Sequence, residues 1–232
     1  MDEAGILVFF IFYDDGTSVW DTGKLVGTAE RRFFRTLVNH FEGHRNLVWA
    51  VAEEYAEALP MERASALAAE IRAADDFGHP VAIHQNSALS FDFAQDPRFD
   101  QFAIQWNPPV DADELHSRLA ELFRHSSGRF NLNFAERDGH GLAPPDQVRR
   151  LNWAAALGGA YVMVYQWDIA STPEEGLRQC GHMVRFMEST PFSGMRPASD
   201  LALEETRFVM AGSGGEYIGY TRPGHGRLGL KE

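Results

Sequence analysis

The chain has 232 residues, 44% of them hydrophobic and 12% aromatic, enough for one well-packed core and too apolar for a disordered polymer. Its formal net charge of −12 disfavours a nucleic-acid backbone or an anionic membrane surface as partner. One cysteine, Cys180, excludes an internal disulfide and any multi-cysteine metal site.

In chain order, the apolar run ILVFFIFY at 6–13 reads as a strand buried on both faces, ended by the turn Asp14-Asp15-Gly16. The run is too short to span a bilayer. Asp2 and Glu3 stand before it in place of basic residues, so no signal peptide is expected, and the product as written is expected in the cytoplasm. Phe34, Leu37, Val38 and Phe41 then recur at helical spacing, and NLVWAVA at 46–52 reads as the next strand. Leu67, Ala68 and Ile71 mark a second helix, followed by short strands PVAIHQ at 80–85 and FAIQW at 102–106. Asp111 and Glu114 frame a capping box ahead of the stripe Leu115, Leu119, Leu122 and Phe123.

RFNLNFAE at 129–136 is a further strand, and Val148, Leu151, Ala155 and Ala156 a helix that stops at Gly158-Gly159. AYVMVYQW at 160–167 reads as the last strand of the series. The helix after it has Thr172 as cap, Pro173 at its first position and Glu175 at its third. Cys180 shares that helix with Leu177, Met183 and Met187, where a small buried hydrophobe is the expected role. Beyond residue 200, TRFVMAG at 206–212 and EYIGYTR at 216–222 flank a Ser-Gly-Gly turn and read as a hairpin. The expected organisation is an α/β domain over 1–199 and a short β segment over 200–232.

Strands alternating with helices imply a parallel sheet covered by helices, and both a barrel and an open doubly wound sheet fit that rhythm. No Gly-x-Gly-x-x-Gly follows the first strand, which counts against a nucleotide-binding sheet. Other motifs are weak. His40 and His44 have the spacing of a helical zinc pair, but Gly43 lies between them and no glutamate ligand pattern accompanies them. Gly212-Ser213-Gly214-Gly215 lacks the lysine of a phosphate loop, and Gly-x-Ser-x-Gly is absent. No cofactor or metal is implied.

Two carboxylates stand out. Glu54, preceded by Glu53, and Glu136 each close a strand-like run. In a barrel, active-site groups come from the C-terminal ends of strands. Retaining glycosidases use a carboxyl pair about 5–5.5 Å apart, one to donate a proton and one to attack the sugar. Neutral carbohydrate is a partner that the negative charge does not oppose.

The segment Asn46-Leu47-Val48-Trp49-Ala50-Val51-Ala52-Glu53-Glu54-Tyr55 resembles the NVIW-x-x-x-NE-Y segment on the fourth barrel strand of clan A glycoside hydrolases. The chain is similar to the apiosidase-like DUF4038 family, also labelled collagen-binding, over about residues 5–195. That resemblance implies a (β/α)8 TIM barrel represented by strands three to eight, with Glu54 as acid/base and Glu136 as nucleophile. It further implies Trp167 as a platform for sugar rings, and His84 and Gln105 as polar contacts. Glu53 stands where the family has an asparagine that holds the sugar's 2-hydroxyl, and a carboxylate can accept the same hydrogen bond. Relatives with a longer N-terminus are expected to be secreted. Without strands one and two, the chain is expected to be a fragment, or to be completed by another chain, with copies pairing through the open sheet edges. The alternative reading is a non-catalytic carbohydrate- or protein-binding module on a truncated barrel.

Overall fold

The computed structural model describes residues 2–16, 20, 25–86, 91–106, 111–126, 128–137, 144–162, 172–221 and 227–231. Strands β1 (Val8–Tyr13), β2 (Leu47–Ala52), β3 (Val81–Gln85), β4 (Gln101–Trp106), β5 (Asn131–Arg137) and β6 (Tyr161–Val162) form one sheet in chain order. Pairing is parallel between β1 and β2, β2 and β3, β3 and β4, and β5 and β6. Helices α1 (Thr28–Phe41), α2 (Met61–Ala74), α3 (Ala112–Ser126) and α4 (Pro145–Leu157) fill the connections other than that from β3 to β4, and α5 (Glu174–Glu188) follows β6. This is the strand order of an incomplete (β/α)8 barrel, as the sequence predicts. Among the described residues no helix is long and apolar enough to cross a membrane.

By contact density the chain divides into two units, residues 1–105 with 129–131, and residues 106–128 with 132–232. In the first, β2 is buried at every position, as expected for a strand covered on both faces. Alternation sends Trp49 to the helix side, where its ring lies 5.4 Å from Phe10 and 5.6 Å from Phe12. Phe12 in turn meets Phe34 of α1 at 4.6 Å. Val48 and Ala50 point the other way and cluster with Ala82 and Phe9.

β1 departs from expectation. Tyr13 is its one buried residue and Ile11 is 38% exposed. The run is apolar because its even positions pack under α1, but β1 ends the described sheet and has a strand beside it on one side only. An apolar run carries no record of which of its flanks is covered.

In the second unit, Asp111 Oδ1 accepts the backbone N–H of Glu114 at 2.8 Å, the expected cap of α3. α4 ends at Gly158 and Gly159, the latter at φ +90, and a Cβ on Gly159 would lie 2.4 Å from the Phe123 ring. α5 begins one residue later than expected, with Pro173 rather than Thr172 in the cap position. Such boundaries shift easily by a residue. Of the predicted strand at 160–167, Tyr161–Val162 is described and the remainder lies outside the described residues. The predicted hairpin is present as antiparallel β9 (Thr206–Ala211) and β10 (Tyr217–Thr221), and β7 (Arg196–Pro197) pairs with β9. A separate pair, β8 (Ala202–Glu204) with β11 (Leu228–Leu230), was not anticipated. His116 of α3 bonds the Ala154 carbonyl at 3.2 Å and Ser199 Oγ at 2.7 Å, and stacks on Phe208 at 4.4 Å.

Candidate active site

The site in the first unit grows from the C-terminal end of β2. Glu53 N–H donates to the Tyr13 carbonyl at 2.9 Å, extending the β1–β2 ladder one step past Ala52. The next residue breaks away: Glu54 adopts the left-handed conformation, φ 35 and ψ 50, and a short 3-10 turn Tyr55–Glu57 follows. A side-chain-bearing residue other than Asn or Asp seldom occupies that region, and persists there only when its surroundings hold it.

Two neighbours do so. The Glu54 backbone N–H donates to His84 Nδ1 at 3.3 Å, and Asn86 Nδ2 donates to Glu54 Oε2 at 2.7 Å. The same Asn86 amide donates to Glu57 Oε1 at 2.8 Å, so one NH2 group spans two carboxylates. Tyr55 anchors the turn by donating from its hydroxyl to Asp92 Oδ2 at 2.5 Å, with its ring 4.9 Å from Phe93.

Strand alternation puts His84 on the face of Ala82, opposite Ala103 of β4, and puts Gln105 on that same face two residues further on. His84 is 3% exposed, and this burial lowers its pKa to about 4, so it is neutral near pH 7. Since Nδ1 accepts from Glu54, the proton belongs on Nε2, which has no hydrogen-bond partner among the described residues. A buried donor of this kind is suited to meet a hydroxyl of a bound molecule. Gln105 is likewise buried.

The electrostatics are strongly negative. Carboxylate oxygens of Asp15, Glu54 and Glu57 all lie within 4.8 Å of one another. Asn86 N–H groups are directed at two of the three, Glu54 and Glu57. Burial first, then the charges of Asp15 and Asp14, raise the Glu53 carboxyl above its usual range.

Behind the loop that carries Asp14 and Asp15 lies a buried network. The Tyr13 hydroxyl donates to Glu30 Oε1 at 2.6 Å and Arg63 Nη2 donates to the same oxygen at 2.7 Å. Arg63 also donates to the carbonyls of Leu25 at 2.8 Å and Trp20 at 2.9 Å.

Of the residues singled out from sequence, Glu54 and His84 are in direct contact, Glu53 precedes Glu54, and Gln105 shares the His84 face. Glu136 is the penultimate residue of β5 and half-buried. Trp167 lies outside the described residues. Sequence reasoning singled out neither Asn86 nor Glu57 as a site residue, and read Asp15 as part of the turn after the first strand. A signal for Asn86 was present: it directly follows β3 as Glu53 and Glu54 directly follow β2.

No family model matches the chain, and no curated protein matches it. Among solved structures it is similar to a Bacteroides vulgatus protein provisionally described as a glycoside hydrolase. The TM-score is 0.69 at 18% identity, over 91% of this chain and 44% of that one. A family 5 glycoside hydrolase of Bacteroides vulgatus gives TM-score 0.57 at 16% identity, over 78% of this chain and 50% of that one. Another structure described as a glycoside hydrolase gives 0.56 at 14%, over 82% and 53%. The chain thus spans about half the length of the structures it resembles, and likeness at these identities shows the fold.

Proposed function

We propose that the chain is a retaining glycoside hydrolase, with Glu54 as acid/base and Glu136 as nucleophile. The observation that carries this reading is Glu54 itself: a glutamate at the C-terminal end of a barrel strand, held in a strained backbone conformation by His84 and Asn86. The narrower affiliation, with the apiosidase-like family, rests on the segment from Asn46 to Tyr55.

In this reading the Glu136 carboxylate attacks the anomeric carbon while Glu54 gives its proton to the departing oxygen, and the glycosidic C–O bond breaks. Glu54, now ionised, takes a proton from water, which displaces Glu136 and restores both groups. In this reading His84 Nε2–H, Gln105 and Glu53 hold sugar hydroxyls, and Trp167 stacks on a ring. The partner is a poly- or oligosaccharide.

The test is turnover of a panel of aryl glycosides by the full chain. Glu136→Gln should abolish turnover of all of them. Glu54→Gln should spare the first release of strongly acidic leaving groups, which depart without a proton, while slowing that release for the others and the later attack of water for all by about 10²–10⁴. Full activity in a folded Glu136→Gln variant sinks the role assignment.

A second reading, a carbohydrate-binding module without turnover, is favoured by one feature of β5. Gln101 Nε2 donates to Asn131 Oδ1 at 2.8 Å, which gives Asn131 the face of Gln101. Alternation continues that face through Asn133 and Ala135, leaving Glu136 in the set with the buried Leu132 and Phe134. Oligosaccharide binding with no hydrolysis by any variant would establish this reading in place of the first.

A further inference from the structure

Asn86 and Glu57 lie where their effects on Glu54 oppose each other. Asn86 directs an amide N–H at Glu54 Oε2 from 2.7 Å, a contact that favours the ionised carboxylate. Glu57 brings a like charge within 4.8 Å of it, which favours the protonated form, and Asp15 does the same from the loop after β1. Among the described residues, Glu53 is adjacent in sequence, and His84 of β3 is neutral and engaged with the Glu54 backbone.

Asn86 is not simply one more donor. A second contact, to Glu57 Oε1 at 2.8 Å, fixes the like charge and the hydrogen bond in one frame. Moving the amide moves both.

We propose that Asn86 is the positioning residue of Glu54, and that its amide and the Glu57 carboxylate together set the protonation of Glu54 by opposing effects. The proposal rests on the glycosidase reading for its purpose, because an acid/base must be protonated in one half-reaction and ionised in the other. Its physical content stands on the contacts alone.

The experiment is a carbon-13 NMR titration of side-chain carboxyls in the full chain with labelled glutamate, the Glu54 signal being identified by its loss in Glu54→Gln. Asn86→Ala removes the donor and should raise the Glu54 midpoint by about one pH unit. Glu57→Gln keeps an acceptor for Asn86 but removes the charge, and should lower the midpoint by about half to one unit. A residue with only a structural role would not give shifts of opposite sign from two contacting positions.

Shifts of the same sign, or an unmoved midpoint in either folded variant, overturn the proposal. If Asn86→Ala does not fold, Glu57→Gln decides: a rise or no change overturns it. Absence of aryl glycoside turnover by the wild-type chain counts against the glycosidase reading while leaving these shifts to be read on their own. Turnover in the wild type with a Glu54 midpoint indifferent to Asn86→Ala removes this proposal alone.

Discussion

Arg63→Met probes the buried network behind the site. Methionine keeps much of the apolar stem and removes the guanidinium, leaving the Glu30 carboxylate, fully buried at 0% exposure, without its ion-pair partner. At 2.7 Å and an effective dielectric of about 20, the gross attraction is about 6 kcal/mol. Desolvation of both groups offsets part of that, and breaking buried pairs from one side costs about 3–5 kcal/mol. The bonds to the Leu25 and Trp20 carbonyls are lost as well, so the upper part of that range is expected. For a chain of this size the melting temperature should drop by about 6–20 °C. Urea unfolding followed by tryptophan fluorescence measures the loss directly. The decisive comparison is the double variant Glu30→Gln/Arg63→Met, which removes the stranded charge and should recover part of the loss. A single variant within about 1 kcal/mol of wild type, or a double variant no better than the single, would refute the reasoning.

His84 gives a pH prediction with a definite sign. Burial holds its folded pKa at about 4 against about 6.5 when unfolded, so below pH 6.5 the unfolded chain takes up a proton that the folded chain refuses. The stability from neutral His84 is therefore complete above about pH 6.5 and declines toward about pH 4, by up to about 3 kcal/mol. His84→Asn should flatten that part of a stability curve measured by urea unfolding at several pH values, and an unchanged slope counts against it. Among glycines, Gly159→Ala combines φ +90 with a contact of 2.4 Å to Phe123, and should cost about 2–4 kcal/mol. Gly78→Ala, at φ +73 with nothing within 4 Å, should cost only about 1–2 kcal/mol, and equal thermal shifts for the two would remove the steric part of the argument.

The sheet was legible because its central strands are nearly unmixed apolar runs. LVWAVA on β2 is buried at all six positions and admits no other role in a compact α/β chain. α3 was legible from its cap, since Asp111 and Glu114 announce a helix start that the Asp111 Oδ1 bond then realises. β1 was half legible, because apolar residues on its two sides look alike whether a neighbour covers them or solvent does. Nothing in the sequence marked Glu30: a charge in the first turn of a helix ordinarily faces water, and the approach of Tyr13 and Arg63 accounts for its burial. Glu54 could be picked out from sequence because it closes a strand. Its frame could not, since Asn86 is thirty-two positions away and acts through where β3 happens to end.

Glu54 has a consequence for how the chain is maintained. At φ 35 its backbone would be better suited by asparagine or glycine, the residues that enter the left-handed region at least cost. Local preference and side-chain identity therefore disagree at this one position, and a sequence optimised for folding alone would drift away from glutamate there. If Glu54 has the role proposed for it, selection for stability and selection for its carboxylate pull in opposite directions, a trade-off in which conformational strain is retained for the sake of a reactive group. Filling position 54 with the residue its backbone prefers would be a direct route to a sturdier chain, and on the proposed reading a chemically silent one.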